Sequence, residues 1–221
     1  MKLLKIIKFS GTVTCKTGLC IKGANSDINI GGADNEIIKN PITGEPYIPG
    51  SSLKGKMRSQ LEKKYDSRDR NLRIDENSPC GCGQKSCMIC TVFGAHMNPH
   101  AVSSPTRIIV RDSMLTENSR KLVKNLLEEK GSFIDLKTEN SIKRSTGTSE
   151  SLRTNEVIPS GTEFEIEILL QIFDYDKAIE ENIINAVKES LKLVEYSYIG
   201  GSGSRGYGKV EFKYDINEIM V

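Results

Sequence analysis

The sequence predicts an α+β fold with a ferredoxin-like, RRM-like core, and three observations support this prediction. Residues 5–15 and 164–172 alternate apolar with polar side chains, which is the period of half-buried strands. Residues 176–196 carry apolar side chains at helical spacing. The long polar stretches of the chain show no such period. The regular elements that remain follow the order strand, helix, strand, strand, helix, strand, which is that of a split βαβ fold.

Each element of this core rests on a local pattern. Phe9, Val13 and Cys15 share one side of the first strand, and the first helix, 53–64, has Ser51 or Ser52 as its expected N-cap. The other predicted elements are a strand at 106–112, a short helix at 119–130 that stops at Gly131, the two elements at 164–172 and 176–196, and a last strand from Val210 to Tyr214. The short helix is expected to turn four apolar residues inward: Leu122, Val123, Leu126 and Leu127.

Composition indicates one globular domain with insertions. The 221 residues are 37% hydrophobic and 27% charged, which is ordinary for a soluble protein that buries a sizeable core. No apolar run reaches the length that a bilayer requires, and the N-terminus lacks the pattern of a signal peptide. We therefore expect a cytoplasmic protein without a membrane partner.

The net charge of +2 is unevenly distributed along the chain. Positions 54–73 contain eight basic residues but only three acidic ones, Glu62, Asp66 and Asp69. The basic residues are Lys54, Lys56, Arg58, Lys63, Lys64, Arg68, Arg70 and Arg73. Such a stripe favours a polyanion as partner, and a solvated helix face is the alternative that charge alone leaves open.

Four of the six cysteines lie within eleven residues, in the stretch CGCGQKSCMIC. The spacing C-x-C-x4-C-x2-C of Cys80, Cys82, Cys87 and Cys90 suits one tetrahedral Zn²⁺, and Gly81 and Gly83 permit the tight turns. A site of four thiolates has no open position, so its expected role is structural. Three alternatives stay open: an iron–sulfur cluster, free surface thiols, and replacement of one cysteine ligand by His96 or His100.

The stretch YIPGSSLKGKMR, residues 47–58, predicts a helix start with two oddities. No Glu or Gln lies three residues after either serine, so the capping box is absent, and basic side chains stand where the helix dipole disfavours them. Both fit a phosphate at the helix N-terminus, with Lys54 and Arg58 on one face. Gly55 suggests the close approach of another backbone. The alternative is an ordinary capped helix with exposed lysines.

Two other polar stretches contain glycines. GGSGSRGYGKV, residues 200–210, precedes the last strand, and its spacing is not that of a dinucleotide or P-loop motif. Asp34 follows two glycines in INIGGADNEIIKNP and by itself is most simply a turn residue. With no tryptophan and no aromatic RNP motif, recognition of RNA by base stacking on the sheet is disfavoured, and recognition of its backbone fits better.

Four stretches of the sequence resemble one family. In order along the chain they are TGLCIKG, IGGADNEIIKNPITGEPYIPGSSLKGKMR, the cysteine cluster that runs into CTVFG, and GGSGSRGYGKV. Together they closely resemble the RAMP superfamily backbone subunits of type III-A CRISPR effector complexes, the Csm-type crRNA-binding proteins. The resemblance covers nearly the whole chain, and the helix-start motif and the glycine-rich stretch are specific in combination.

This resemblance implies a lid and catalytic loop at 16–46, a zinc-binding helical insertion at 66–105 and a long thumb hairpin at 137–159. It further implies that several copies stack along one crRNA as a filament, together with other Csm-complex subunits. The thumb flips out a nucleotide of the guide–target duplex at regular intervals. The complementary single-stranded target RNA is then cleaved beside that nucleotide.

The resemblance also assigns residues. The cleaving aspartate corresponds to Asp34. The residues that grip the guide backbone correspond to Ser51, Ser52, Lys54 and Arg58, and the glycine-rich stretch adds Gly201, Gly203 and Arg205, with a flexible connector as its alternative role. One departure is Cys20, which stands where relatives commonly carry histidine. A thiol contacts phosphate poorly, so Lys16 or Lys22 is expected to compensate.

The implied chemistry is metal-dependent endoribonucleolysis. The 2′-hydroxyl of RNA is the nucleophile, and cleavage needs in-line geometry and stabilisation of the added charge. An exposed aspartate with a pKa of about 3.9 is a weak base at neutral pH, so Asp34 is expected to hold Mg²⁺ or Mn²⁺. Three rivals remain: a non-catalytic RNA-coating filament subunit, a crRNA-processing endonuclease, and a zinc-stabilised interaction protein.

Overall fold

The computed structural model of the protein describes residues 1–23, 33–65 and 78–221, so parts of the predicted lid and zinc insertion lie outside the described residues. A main sheet of four strands has the order β2-β5-β1-β6, and β3 pairs with β4 in a second, two-stranded sheet. The strands are β1 (Leu3–Cys15), β2 (Ile108–Val110), β3 (Asp135–Ile142), β4 (Ser149–Val157), β5 (Glu163–Phe173) and β6 (Val210–Met220). The helices are α1 (Gly50–Tyr65), α2 (Met88–Phe93), α3 (Glu117–Lys130) and α4 (Glu180–Tyr196).

The main sheet is antiparallel throughout, and the predicted split βαβ order is present. Strand β1 lies between β5 and β6, with Phe9 opposite Ile168 on one side and Ile216 on the other. Helix α1 connects β1 to β2, which are not neighbours, because β5 lies between them. Gly11 allows the close pairing of β1 with β6, since a Cβ there would lie 2.0 Å from the carbonyl oxygen of Lys213.

The hydrophobic core joins the sheet to α1 and α4. On α1, Leu53, Met57 and Leu61 recur every fourth residue and are buried, as the 3.6-residue period of a helix requires. The inward residues of the sheet and α4 belong to the same buried cluster: Ile7, Phe9, Val13, Phe164, Ile166, Ile168, Ile183, Val187, Leu191 and Val194. The inward side chains of the sheet therefore pack with those of the two helices in one hydrophobic core.

The start of α1 differs from its prediction. The helix begins at Gly50, and its first amide donates to Asp112 Oδ1 at 2.7 Å. Ser51 and Ser52 lie inside the first turn, so the predicted serine N-cap is wrong, because a distant carboxylate supplies the acceptor. The expected backbone contact at Gly55 is also wrong: a Cβ there would meet nothing within 4 Å, whereas one on Gly50 would lie 2.2 Å from the carbonyl oxygen of Val110.

Helix α3 is less buried than predicted. Val123 is buried and Leu126 is partly so, but Leu122 and Leu127 are 51% and 44% exposed. The expectation that all four face inward is wrong for these two leucines, since a single helix stripe packs against the core. The predicted stop is present: Gly131 adopts φ 72° and donates its amide to the carbonyl of Leu127.

The polar region before β5 forms the β3–β4 hairpin. Thr138 lies opposite Thr154, and most residues of β3 are exposed. Three apolar side chains of the hairpin are also exposed, Leu136, Ile142 and Leu152. The hairpin therefore projects from the core with little apolar burial of its own. Among the described helices, none has both the length and the apolarity that crossing a membrane requires.

Candidate nucleic-acid interface

The glycine loop, residues 200–208, has a defined shape that main-chain contacts maintain. Ile199 donates its amide to the carbonyl of Gly208 at 2.8 Å, which closes the base of the loop. Gly201 donates to the carbonyl of Cys20 at 2.8 Å. The loop is thereby fixed to the stretch that follows β1, and these contacts argue against a loose connector.

Close contacts at Gly200 and Gly203 are among those that require glycine in the loop. Gly200 has φ 77°, and a Cβ there would lie 2.3 Å from the carbonyl oxygen of Cys20. A Cβ on Gly203 would lie 2.0 Å from Cγ of Tyr198. The ammonium of Lys56 stands 3.5 Å from the centroid of the same ring. Tyr198 therefore links helix α1 to the glycine loop, and the two predicted RNA-binding elements lie side by side.

Arg205, at the far side of the loop, is joined to the β3–β4 hairpin. Its Nε lies 3.2 Å from Glu139 Oε2, and Nη2 donates to Ser202 Oγ. The side chain of Arg205 remains 58% exposed. Nearby, the ammonium of Lys137 lies 4.2 Å from the ring centroid of Tyr207. Arg205, the predicted phosphate ligand of the loop, is therefore an exposed cation that also forms an ion pair with the hairpin.

A groove of about 600 Å³ separates the loop from the base of the hairpin. Its walls come from four parts of the chain: the segment after β1, the start of β3, the end of β4 with the residues that follow it, and the end of the glycine loop. The residues along it include Thr17, Gly18, Lys137, Thr138, Gly206 and Tyr207. The groove is open and mostly polar, as a channel for a nucleic-acid backbone must be.

The N-terminus of α1 already has an anionic partner. The carboxylate of Asp112 accepts from the first amide, so the positive end of the helix dipole lies beside a negative charge. Ser51 is exposed and Ser52 is half-buried. Any phosphate at this end of α1 would contact the serine hydroxyls and Lys54 more readily than the helix axis.

Lys54 and Arg58 do share one face of α1, as their spacing predicts. Burial lowers the pKa of Lys54, and the positive charge of Arg58 lowers it further. The Arg58 guanidinium is held by two partners, Glu62 Oε1 at 2.9 Å and the carbonyl oxygen of Cys80 at 2.6 Å. Arg58 therefore connects α1 to the cysteine cluster, a role that its sequence position did not indicate.

In the segment after β1, Lys16 and Cys20 differ in their exposure to solvent. Lys16 lies on the surface and pairs with Glu211 of β6 at 2.8 Å. Cys20 is only 2% exposed, and burial raises the pKa of its thiol. A neutral buried thiol contributes packing rather than a phosphate contact, so its main-chain carbonyl, which accepts from Gly201, is the part that shapes the loop.

Asp34 is exposed and lies against strand β4 of the hairpin. Its amide donates to the carbonyl of Thr154 at 2.8 Å, and the amide of Thr154 donates back to Asp34 Oδ2 at 2.7 Å. The next residue, Asn35, accepts from the amide of Glu156 at 2.9 Å. The segment around Asp34 thus pairs like a short added strand with the base of the hairpin, and this pairing orients the carboxylate.

The four predicted cysteine ligands converge. Their sulfur atoms all lie within 4.8 Å of one another, and three of the separations are 3.9, 3.6 and 3.7 Å. A tetrahedral site with Zn–S bonds of about 2.3 Å has sulfur–sulfur edges of about 3.8 Å. Among the described residues, no imidazole joins this group, and His96 approaches it through its main-chain amide, which donates to the carbonyl of Cys80 at 3.2 Å. The cluster could therefore hold a metal ion.

The cluster belongs to the cysteine module, residues 78–107, which is anchored to α1. The amide of Cys80 donates to Glu62 Oε1 at 2.9 Å. The hydrogen bond with Cys90 lowers the pKa of Cys87, which favours the thiolate form of this sulfur. A thiolate is the form that binds metal. The module is thus shaped for an ion and attached to the helix that carries Lys54.

Several residues of this region carry no local sequence signal. Glu139 and Asn155 lie in a polar hairpin, Tyr198 follows α4, and Tyr207 lies between two glycines. Each matters because of a partner from elsewhere in the chain. The one sequence hint is the aromatic pair that flanks the glycine loop, since buried tyrosines usually place their hydroxyl among polar groups.

The fold and the match to a family model define the class of this protein. The chain belongs to the RAMP superfamily, whose family model matches residues 12–211. It is 41% identical to the CRISPR system Cms endoribonuclease Csm3 of Methanothermobacter thermautotrophicus, over 96% of this chain and 86% of the relative. It is 35% identical to the protein of the same name from Streptococcus thermophilus, over 94% of this chain and 87% of the relative. These identities place it, within the superfamily, among Csm3 proteins.

Solved structures agree with this placement. A chain of the Csm3–Csm4 subcomplex from the type III-A CRISPR–Cas interference complex matches with a TM-score of 0.60 and 28% identity, over 99% of this chain and 81% of that chain. The Csm3 crystal structure from Methanopyrus kandleri matches with a TM-score of 0.67 over 99% of this chain and 78% of that chain. At 24% identity, the second match supports the fold alone.

Proposed function

We propose that this protein is a crRNA-binding backbone subunit of a type III-A CRISPR effector complex and that it cleaves complementary target RNA. The observation that carries the proposal is the position of Asp34. Its exposed carboxylate is oriented by β4 at the base of a hairpin that also borders the glycine loop. Relatives at 41% and 35% identity are named endoribonucleases, which supports the same activity here.

The guide backbone is gripped by two neighbouring elements. The start of α1 supplies two hydroxyls and two cations, and the glycine loop supplies main-chain groups close to the surface together with one exposed guanidinium. The residues that these two elements contribute are Ser51, Ser52, Lys54, Arg58, Gly201, Gly203 and Arg205, and Lys16, from the segment after β1, is a further surface cation assigned to the grip. Tyr198, which contacts both elements, supports a continuous surface, and contacts of this kind recognise the phosphate backbone without reading bases.

Cleavage depends on geometry more than on a strong base. The 2′-hydroxyl of the target attacks the adjacent phosphorus, the 5′-oxygen leaves, and the products are a 2′,3′-cyclic phosphate and a 5′-hydroxyl. The amide of Thr154 on β4 holds the exposed carboxylate of Asp34 in one orientation. The hairpin keeps the displaced nucleotide out of the duplex, because a regular duplex resists in-line attack.

A single exposed carboxylate fits Mg²⁺ or Mn²⁺, which bind through one or two carboxylates together with substrate phosphate and water. When bound there, such an ion would neutralise charge on the phosphate. The cysteine cluster serves another purpose: its four sulfurs have the separations of a closed zinc site, so Cys80, Cys82, Cys87 and Cys90 would hold a structural Zn²⁺ that folds the module. Copies of the chain then stack along one crRNA, with the hairpin acting as the thumb and other Csm subunits completing the complex.

The decisive experiment is Asp34→Ala in the assembled, crRNA-loaded complex. We expect target cleavage to fall by at least about 10³-fold, because the one oriented carboxylate is lost, while crRNA content stays unchanged. Cleavage products of a labelled complementary RNA, with and without EDTA, measure the effect. Asp215→Ala, which removes another exposed aspartate on β6 outside the proposed site, is the matched control.

The alternative function is a non-catalytic subunit that coats RNA, in which Asp34 only shapes a turn. Full cleavage by the assembled Asp34→Ala complex would establish that alternative. Cleavage that survives EDTA would leave the assignment of Asp34 but remove the divalent ion from it.

A further inference from the structure

Three segments of the chain meet at one buried side chain, that of Asn155. This residue is 5% exposed and lies on β4, between Thr154, which holds Asp34, and Glu156. We propose that Asn155 is a positioning residue for Asp34: it fixes the register between the segment of Asp34 and the hairpin. The inference rests on the proposed catalytic role of Asp34 and adds a residue that does not itself touch RNA.

The pairing of residues 34–35 with residues 154–156, here called the joint, has hydrogen bonds that define one register. Asn35 Nδ2 donates to Asn155 Oδ1 at 2.5 Å, which couples the residue after Asp34 to the residue after Thr154. Two further contacts lie on either side: the Asp34–Thr154 pair, and the amide of Glu156, which donates to the carbonyl of Asn35 at 2.9 Å. A slip by one residue would turn the Asp34 carboxylate to the other face, because side chains alternate along a strand. The bond from Asn35 to Asn155 is the contact in this set that joins two side chains, and a slipped register cannot reproduce it.

Further contacts attach the residues that follow Asn35 to the hairpin. Glu156 accepts from the amide of Ile37 at 3.0 Å and pairs with Lys39 at 3.0 Å, which extends the attachment beyond Asn35. These contacts hold the chain downstream of Asp34 against β4. They do not reach Asp34 itself, so its carboxylate is oriented by the amide of Thr154, in the register that the pair formed by Asn35 and Asn155 fixes.

The joint also borders the glycine loop through Tyr207, which is 2% exposed. Burial raises the pKa of the Tyr207 hydroxyl, and the nearby carboxylate of Glu139 raises it further, while Asn155 acts in the opposite sense. Within the described part of the chain, neither Tyr207 Oη nor Asn155 Nδ2 has a hydrogen bond of regular geometry. Such buried unpaired groups are rare, and here two of them lie close to each other at the joint. The amide of Asn155 therefore lies between the loop that would hold the guide and the segment that would cleave the target.

The test is Asn155→Ala in the assembled, crRNA-loaded complex with a labelled complementary RNA and Mn²⁺. We expect the single-turnover cleavage rate to fall by about 10- to 100-fold, since a displacement of about 1 Å at a reacting group has an effect of this size. Target affinity and crRNA content should stay within about 2-fold, which separates positioning from a general loss of structure. Asn217→Ala, the same change at an exposed site on β6, should leave the rate unchanged.

Asn35→Ala removes the same hydrogen bond from its half-buried side and gives a second variant if Asn155→Ala fails to assemble. Both single variants and the double variant form a cycle, and we expect the double variant to be no slower than the slower single variant. Unchanged cleavage in both single variants, with Asp34→Ala inactive, overturns the positioning role and leaves the proposed function in place. Cleavage by Asp34→Ala overturns the proposed function and the positioning role with it.

Discussion

The cysteine module and the β3–β4 hairpin are both insertions into one sheet core, yet they are held in different ways. In the module four cysteine sulfurs converge and could hold a metal ion, and the ion pair of Arg107 with Asp176, with side chains 3% and 1% exposed, attaches the module to the core. The hairpin is attached at its base, and its strands are mostly exposed. A metal ion bound by the four sulfurs would crosslink the module internally, whereas the hairpin is held through its base.

The largest effect should come from the metal. Cys90→Ser removes a buried ligand and should abolish metal binding and unfold the module, because structural zinc contributes about 10–16 kcal/mol to folding in small zinc domains. Metal content by mass spectrometry should fall from one zinc per chain to none. His100→Ala is the control and should keep the zinc, since that residue is exposed and outside the sulfur cluster. Zinc retained by Cys90→Ser would refute a four-cysteine site.

The second effect concerns the attachment of the module. Arg107 donates to both carboxylate oxygens of Asp176, at 3.1 and 2.9 Å. Arg107→Ala leaves the buried carboxylate unpaired and should lower the free energy of unfolding by about 3–5 kcal/mol. Arg111→Ala should change it by less than about 0.5 kcal/mol, because that side chain is 60% exposed and lies 3.8 Å from Glu167. Denaturant unfolding followed by circular dichroism measures both, and equal losses would contradict the difference in burial.

The third effect tests the attachment of the hairpin to the glycine loop. Arg205→Ala should weaken crRNA binding by about 10-fold and reduce its salt dependence, because one phosphate contact is lost. Glu139→Gln should strengthen binding by a small factor, since it frees Arg205 from its carboxylate partner. Filter binding at two salt concentrations distinguishes the variants. If both weaken binding equally, the ion pair itself supports the RNA site and Arg205 is not a phosphate ligand.

The smallest effect belongs to the exposed hairpin surface. Leu152→Ser should change the free energy of unfolding by less than about 0.5 kcal/mol, because this side chain is 66% exposed. Leu191→Ser, at a residue that is 1% exposed in the core, should cost about 3 kcal/mol or more. A large loss from Leu152→Ser in thermal or urea unfolding would show that the hairpin packs on the core more than its exposure indicates.

Much of the fold was predictable because its patterns are local. Alternation in β1 and β5 and the helical stripe of α4 each arise from neighbours within a few residues, and the structure confirms them. The cysteine spacing likewise predicted the convergence of four sulfurs. The predictions failed where a local rule met a distant partner. At the start of α1 the carboxylate of Asp112, 62 residues after Gly50, caps the helix in place of a serine. On α3, two of the four apolar residues expected to face inward do not pack against the core.

The candidate site shows the same division. Asp34, Arg205 and the start of α1 were predicted as site residues, partly from glycine-rich patterns and partly from family resemblance, and their roles stay predictions. The structure adds what they contact: Arg58 turns to the cysteine module, Arg205 to Glu139, and Asp34 to β4. None of these partners has a sequence pattern of its own, because an ordinary polar residue acquires its role from what lies opposite it.

The sequence by itself determined the strands and helices of the core, the cysteine cluster and the family, since each follows from residue types in local patterns or motifs. Only the tertiary structure decided how the parts meet. It placed Asp112 at the start of α1, the segment of Asp34 beside β4, and Asn155 between that segment and the glycine loop. The physical reason is that a hydrogen bond or an ion pair depends on separation in space, and for residues far apart in the chain the fold alone sets that separation.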